Sequence, residues 1–475
     1  MKKTIIFQTN HLHQDDGEIV PAQVLCAPEQ PLEIRTGKHP GADIVLPDDV
    51  HIALGRVDTH VHFRESAQPT PEEFEADSIR DAGQSYEETI AKIRRSNQFY
   101  DIRRGSLAAL KGGVWLIGAM GNTIWAPAGE ERWRKTDRWY RDHALIFTHV
   151  WPRIEPGVAP IEGQEEKDFG STFGGSGLSG EQRRRMYLDR KGGMISYHND
   201  RERLEETLEE FKRRVNPPDF LLHPLYYDGG TVYAMQRETL QLALEAKLKR
   251  LLTRHIPTGP ALDMILRARS GAEMELPAEA GIDYLYFNRD MLAERETRMI
   301  NYRRPALPSA EDQASLRELT RDCARWRDPL TFFASDHAPH PLEAKRFKEN
   351  GLPGNPGTRV LEHSHQIHMH LIHHAGFTYA DIDWLAAAAP AKYITQYRSF
   401  PYPVGVMQNG AMANLCIFHP AEEYRVDESA LQSQLHDPEY HTAYRDESLQ
   451  GRVLYTAVNG IVYHVEKHIE AINLL

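Results

Sequence analysis

The sequence predicts an α/β protein: a (β/α)8 TIM-like barrel over residues 54–400, with a small β-sandwich domain formed from residues 1–53 and 401–475. Three observations carry this. Strand-like and helical runs alternate through the middle of the chain. Both ends are short strand-like runs punctuated by Pro, Gly and Asp. At 475 residues the chain is long enough for one large α/β unit and an accessory domain.

The elements follow in order. MKKTIIFQTN carries two lysines and a short apolar patch but no apolar h-region, so it reads as a first strand and not as a signal peptide. EQPLEIRTGKHPGADIVLPDD reads as short strands and turns. Barrel strands are predicted at 54–63, 113–119 (GVWLIGA), 145–150 (LIFTHV), 165–169, 193–198 (GMISYH), 250–256, 282–287 (IDYLYF) and 331–336 (TFFASD). Helical stretches such as RERLEETLEEFKRR and RETLQLALEAKLKR lie between them, and the alternation fits eight βα units. GAMANLCIF and GRVLYTAVNGIVYHV return to strand character, so the two ends are expected to meet in one β domain. No internal repeat or low-complexity tract is apparent.

Composition narrows the function. Hydrophobic content of 41% and charged content of 26% describe a soluble globular protein. No apolar run approaches the roughly 18 residues needed to span a bilayer. Lys+Arg of 56 against Asp+Glu of 68 gives −12, which argues against a nucleic-acid partner. Cys26, Cys323 and Cys416 form neither a disulfide framework nor a CxxC site, and the expected location is the reducing cytoplasm. The 24 histidines direct attention to metal.

The stretch VDTHVHFRES, residues 57–66, is where that search starts. Strand alternation places Asp58, His60, His62 and Arg64 on one face. Catalytic groups of such a barrel sit where strands end at the C-terminal face. The other predicted strands end at His198, at His255, and at Asp336 in SDHAPH. Four histidines and an aspartate converging there suit two borderline divalent ions, zinc by preference. Two such ions need bridging anions. Lys167 could supply one only as a carbamate, formed with carbon dioxide; otherwise it is a solvated lysine beside Glu165, Glu166 and Asp168. His149 and His223 compete with His198, each near a predicted strand end.

DTHVHFR and SDHAPH together resemble the dihydroorotases of the amidohydrolase superfamily. LAALKGGVWLIGAMGNT, MISYHNDRERL, ALEAKLKRLLTRHIPTGPALDMI, INYRRPALPSAEDQASLREL and GLPGNPGTRVLE extend the likeness over most of the chain. The resemblance implies one ion on His60, His62 and Asp336 and the other on His198 and His255, with carbamylated Lys167 between them. It implies that Arg64 and Asn122 grip a substrate carboxylate, with Asn301 and His340 completing the pocket. The implied activity is reversible cyclisation of N-carbamoyl-L-aspartate to L-dihydroorotate in pyrimidine biosynthesis, with Asp336 as the proton carrier. Family members are usually homo-oligomers, so a dimer or tetramer is expected. Hydantoinases and allantoinases share the metal set but typically lack the arginine and the HAPH ending. Asp58 is expected to orient a ligand histidine.

The chain departs from the family near the substrate, not at the metals. A long insertion, SAQPTPEEFEADSIRDAGQSYEETIAKIRRSNQFYDIRRG, follows HFRE; MGNT stands for MPNT and NYRRP for NPPLR. These keep open a related amidohydrolase acting on another carboxylated cyclic amide or ureido substrate. A non-catalytic dihydroorotase-like subunit is the third reading. EHSHQIHMHLIHH, residues 362–374, is read as a surface or packing helix outside the mouth, and GSTFGGSGLSGE lacks the GK[ST] of a phosphate loop. EETLEEFKRR is read as a solvated helix face.

Overall fold

The computed structural model describes residues 3–77, 83–155, 157–168, 180–198, 229–292, 303–346, 355–433, 442–445, 447–465 and 469–473. The first segment forms β1 (Ile5–His13), β2 (Ile19–Cys26), β3 (Glu33–Thr36), β4 (Ile44–Val45) and β5 (His51–Leu54). Eight strands follow, with a helix between each successive pair except β8 and β9 among the described residues: β6 (Arg56–Val61), β7 (Val114–Met120), β8 (Phe147–Trp151), β9 (Glu165–Asp168), β10 (Met194–Tyr197), β11 (Arg250–Ile256), β12 (Ala278–Gly281) and β13 (Thr331–Ala334). The last segment adds β14 (Leu415–Arg425), β15 (Ser448–Val458), β16 (Ile461–Val465) and β17 (Ile469–Ala471).

Strands β6–β8 and β9–β13 are two sheets in sequence order, and every pairing within them is parallel. Parallel bridges join the two sheets at both seams, Arg153 with Lys167 and Val61 with His337. Main-chain hydrogen bonds support the seams, Lys167 N–H to Pro152 O at 2.7 Å and His62 N–H to His337 O at 2.8 Å. The eight strands therefore succeed one another around a path that returns to its start. β6, β7, β11, β12 and β13 are buried along their whole length, as expected of parallel strands covered on both faces.

The two ends of the chain do meet. Their strands form one nine-stranded sheet in the order β17-β16-β15-β14-β5-β1-β2-β3, with β4 on β1. β14 pairs antiparallel with β5, Leu415 facing Leu54. Between β14 and β15 the chain leaves this sheet and reaches the loops after β12 and β13. There the Tyr444 hydroxyl donates to Asp283, and Gln432 N–H donates to Glu362 Oε2 at 3.0 Å.

One strand prediction needs correction. The seventh strand is Ala278–Gly281, and the IDYLYF run predicted for it is the short helix Ile282–Tyr286, buried at all five positions. A fully buried helix and a buried strand share the same apolar composition, and periodicity does not separate them at this length. RETLQLALEAKLKR is helical only to Glu245, where the helix Gly229–Glu245 ends before β11. RERLEETLEEFKRR and its EETLEEFKRR face lie outside the described residues, as does most of GSTFGGSGLSGE.

The long segment after β6 forms α1 (Pro71–Ala76) and α2 (Tyr86–Asn97), and α3 (Ile102–Lys111) leads into β7. Thr70 and Glu73 make a capping box at α1, and Ser85 and Glu88 make another at α2, each satisfying main-chain N–H groups that a helix start leaves open. Among the described residues no helix is long and apolar enough to cross a membrane.

The interior of the strand path holds an ion. Arg254 on β11 is fully buried. It donates to Glu279, to Glu165 Oε1 at 3.0 Å, to Ser196 Oγ at 3.2 Å and to Thr59 O at 3.1 Å, and lies 4.8 Å from the centre of the Trp151 ring. Removing one member of such a network strands the others as uncompensated buried charges. Arg254→Met is therefore expected to lower unfolding free energy by about 3–5 kcal/mol in urea titrations; a loss under about 1 kcal/mol, the range of exposed ion pairs, would contradict this.

Candidate metal centre

The strand ends deliver the predicted ligands to one place. β6 carries His60, and His62 and Arg64 follow it; Lys167 lies on β9, His198 follows β10, His255 lies on β11 and Asp336 follows β13. The ligand atoms of His60, His198 and His255 lie within 4.8 Å of one another, and those of His60, His62 and Asp336 do likewise. His60 is common to both groups. Its Nε2 is 3.3 Å from His62 Nε2 and 3.4 Å from His198 Nε2. Asp336 Oδ1 is 3.2 Å from His60 Nε2 and 3.1 Å from His62 Nε2.

Neighbouring groups favour one tautomer at each end. Glu279 Oε2 accepts from His60 Nδ1 at 3.1 Å, and Asn122 Oδ1 accepts from His62 Nδ1 at 2.6 Å. Each Nε2 then turns its lone pair inward, towards the other imidazoles and a carboxylate. Lone pairs so crowded repel one another unless a cation lies between them. The donor set, with its outer hydrogen bonds to carboxylate and amide, fits a divalent metal.

Electrostatics keeps these bases free of protons. Burial holds His60, His62 and His198 well below the usual imidazole range, and neighbouring positive charges add to it. Burial also lowers His255 to about 4. Neutral imidazole is the form that binds metal. The positive charge of Lys167 acts on all four rings. Lys167 is 0% exposed, Glu165 0% and Glu166 2%, so the solvated-lysine alternative drops out.

The backbone is bent where the strands hand over their ligands. Arg64 has φ +60°, His255 +34° and Asp336 +50°, the left-handed region that costs non-glycine residues of order 1–3 kcal/mol each. Such conformations persist where surrounding bonds over-determine them, and they gather at functional sites.

Other predicted residues fall as follows. Asp58 does not touch an imidazole: its Oδ1 accepts the main-chain N–H of His60 at 3.1 Å and of Ser335 at 3.1 Å. Burial raises its pKa to about 7. Asp58 thus ties β6 to the end of β13, and the carboxylate that orients a ligand histidine is Glu279. Sequence reasoning missed Glu279 and Arg254, although Arg254 directly precedes His255. His149 is in neither ligand group among the described residues; its ring packs edge-on to Trp151 at 4.4 Å. His223 and Asn301 lie outside the described residues. In the helix Ser364–Ala375, His365 and His368 are buried, as is His363 before it, while His373 and His374 are exposed.

Arg64, Asn122 and His340 cluster beside His62. Asn122 bonds to it, the Arg64 charge acts on it, and His62 acts on His340. Arg64 Nε, Asn122 Nδ2 and His340 Nε2 are buried without a hydrogen-bond partner among the described residues. Buried polar atoms are normally satisfied, so each of the three has a hydrogen bond to give to an acceptor from outside the described residues.

No family model matches the chain. It is 29% identical over 166 residues to a dihydroorotase of Anaeromyxobacter sp. (strain K), and that match spans 34% of the relative's length. It is 24% identical over 448 residues to the dihydroorotase of Lactococcus lactis subsp. lactis (strain IL1403), covering 90% of both chains. In fold it is similar to L-hydantoinase (dihydropyrimidinase) from Arthrobacter aurescens, with TM-score 0.77 and 19% identity over 98% of this chain and 97% of that one. It is also similar to dihydropyrimidinase from Brevibacillus agri NCHU1002, with TM-score 0.76 and 14% identity over 99% and 97%.

Two expectations follow from the site. Glu279→Gln is expected to weaken zinc binding 10–100-fold in equilibrium dialysis, the usual effect of losing a carboxylate behind a ligand histidine; unchanged affinity would contradict the assignment. The second concerns pH. A histidine whose folded pKa lies below its unfolded value binds fewer protons when folded, so its stabilisation is full above about 6.5 and lost as pH falls towards the folded pKa. His255 and His363, both lowered to about 4 by burial, set the window. The metal-free protein should lose melting temperature steadily from pH 6.5 to 4. Asp58, raised to about 7, works in the opposite sense over much of the same range, its contribution fading as pH rises from about 4 through 7; the profile is therefore read in Asp58→Asn, where a flat course from 6.5 to 4 would contradict the histidine account.

The sequence relatives are dihydroorotases and the fold neighbours are hydantoinases and dihydropyrimidinases, and through both this chain is similar to the cyclic amidohydrolases of the amidohydrolase superfamily.

Proposed function

We propose that the chain is a binuclear metal-dependent cyclic amidohydrolase, and specifically a dihydroorotase interconverting N-carbamoyl-L-aspartate and L-dihydroorotate in cytoplasmic pyrimidine biosynthesis. On this reading the eight-strand path is a closed (β/α)8 barrel, residues 54–400. Residues 1–53 and 401–475 are the small β-sandwich domain, and the enzyme is a homo-oligomer.

The observation that carries the proposal is the buried, unsatisfied Arg64 Nε beside a histidine–aspartate cluster. Hydrolysis of an uncharged ring would not need it; a ring bearing a carboxylate would. Arg64 presents a planar fork that matches a carboxylate, and Asn122 Nδ2 supplies a further donor.

His60, His62 and Asp336 would hold one zinc ion, and His198 and His255 the other. Lys167 would join them as a carbamate, which converts the positive charge now set among four imidazoles into an anion. When bound, the ions would supply a water acidified towards a pKa of about 7 and a Lewis acid for the ring carbonyl. On this reading Asp336 would act as the proton carrier, taking a proton from the attacking water and returning it to the departing ring nitrogen. Arg64 and Asn122 fix the carboxylate, so the ring amide is held in register with Asp336.

A related substrate, another carboxylated cyclic amide or ureido acid, is the second reading. The insertion that forms α1 and α2 favours it, because its Tyr100 reaches His340 of the proposed carboxylate pocket.

The test is turnover of L-dihydroorotate and of N-carbamoyl-L-aspartate by zinc-loaded protein, with 5,6-dihydrouracil as a ring lacking the carboxylate. Wild type should process the carboxylated pair. Lys167→Ala should abolish turnover. Arg64→Met should lower kcat/KM about 100-fold, since charge-assisted hydrogen bonds contribute roughly 1.5–3 kcal/mol each. Preference for dihydrouracil, or indifference to Arg64→Met, would sink the carboxylate reading.

A further inference from the structure

The segment that departs most from the family pattern also reaches the site. Tyr100 stands between α2 and α3, at the end of the insertion. Its hydroxyl lies 3.2 Å from His340 Nδ1, and the two rings meet edge-on at 83° with centroids 6.5 Å apart. The Arg64 guanidinium is near enough to favour the ionised form of Tyr100, although burial outweighs it and keeps the phenol protonated.

Tyr100 is held there by bonds to the segment that follows β6. Asn97, the last residue of α2, clasps the main chain of Ser66 from both sides: its Nδ2 donates to Ser66 O at 3.0 Å and its Oδ1 accepts from Ser66 N–H at 3.0 Å. Ser66 Oγ in turn accepts from Ile124 N–H at 2.9 Å, two residues beyond Asn122. Glu65 Oε2 accepts from Ile102 N–H at 2.7 Å, directly after Tyr100 and Asp101. The exit of β6, the loop bearing Asn122 and the turn bearing Tyr100 are one bonded unit.

The contact bears on which nitrogen of His340 carries the proton. Asn355 Nδ2, a donor, also approaches Nδ1, at 3.5 Å. Of the two, Asn355 Nδ2 can only donate, so Nδ1 accepts there and the ring hydrogen falls on Nε2; the Tyr100 hydroxyl, able to donate or accept, then donates. The Pro356 carbonyl is a hydrogen-bond acceptor for the ring. In the opposite tautomer Nδ1–H would donate there or to the Tyr100 oxygen, and Nε2 would turn a lone pair towards an anionic substrate.

We propose that Tyr100 is a positioning residue for substrate recognition: its hydroxyl donates to His340 Nδ1 and fixes the Nε2–H form, which joins Arg64 Nε–H and Asn122 Nδ2–H as a donor to the substrate carboxylate. The proposal rests on the reading of this pocket as a carboxylate site. It gives the insertion a task that a family member without it would have to fill by another residue.

Two readouts test it on the full-length chain. Long-range 1H–15N spectra of histidine-labelled protein at pH 8, with His340 assigned by its loss in His340→Asn, report the tautomer without any substrate. Wild type should show the Nε2–H pattern, and Tyr100→Phe, which keeps the ring, should shift towards a mixture. In turnover assays, Tyr100→Phe should raise KM for the carboxylated substrate about tenfold, more than it lowers kcat, as expected from one hydrogen bond. A Nδ1–H pattern in wild type, or a tautomer unmoved in Tyr100→Phe, would overturn the proposal. So would an unchanged KM in that variant. Failure of every carboxylated substrate with the tautomer result intact would instead count against the dihydroorotase reading.

Discussion

Glu279 joins the buried charge at the centre of the fold to the cluster above it. One oxygen accepts from Arg254 and from Thr59 Oγ1, the latter at 2.5 Å; the other accepts from His60 Nδ1 at 3.1 Å. Arg254 also binds Glu165, which accepts from the hydroxyls of Tyr393 and Tyr397. A guanidinium with no exposure needs carboxylates around it, and here one of them also sets a ligand tautomer. The bonds that keep the interior neutral are thus the bonds that aim His60, the residue shared by both ligand groups. Stability and metal geometry are coupled through a single side chain.

That coupling explains what could be read from the sequence and what could not. His60 and His62 stood out because alternation on a strand is local, and His255 and Asp336 stood out because each ends an apolar run. Their partners are long-range. Glu279 lies 219 residues from His60, in a strand of four residues, AEAG, too short to show a period. The adjacent IDYLYF run, richer in aromatics, took its place in the prediction. EEKD reads as a short barrel strand carrying Lys167, with a solvated lysine among acidic neighbours as the alternative, because composition carries no information about burial; in the fold, Glu165 meets Arg254 and Glu166 meets Arg190 at 3.0 Å. Asp58 was legible as important but not in its role, since only the assembled strands show that it grips main chain and not imidazole.

The departures from the family were legible as departures, and their placement gives them meaning. The insertion does not drift over the surface. Capping boxes start both of its helices, and Asn97 and Glu65 lock its end onto the exit of β6. The chain between β14 and β15 comes to the same region: Gln432 and Ser433 bond to Glu362, Tyr444 bonds to Asp283, and Gln432 and Ser433 line one cavity with Tyr100 and His62. The histidine–aspartate cluster sits at the ends of strands whose pairing is fixed by the fold, whereas Tyr100 of the insertion reaches His340 beside it.

The most direct test of the central claim, a two-metal centre bridged by a modified lysine, is a crystal structure of zinc-loaded protein with diffraction recorded on both sides of the zinc absorption edge. The account predicts two anomalous peaks, one among His60, His62 and Asp336 and one beside His198 and His255, with density for a carbamate extending from Lys167 Nζ between them. A single peak, peaks elsewhere, or a bare Lys167 amine beside a fully loaded site would contradict it.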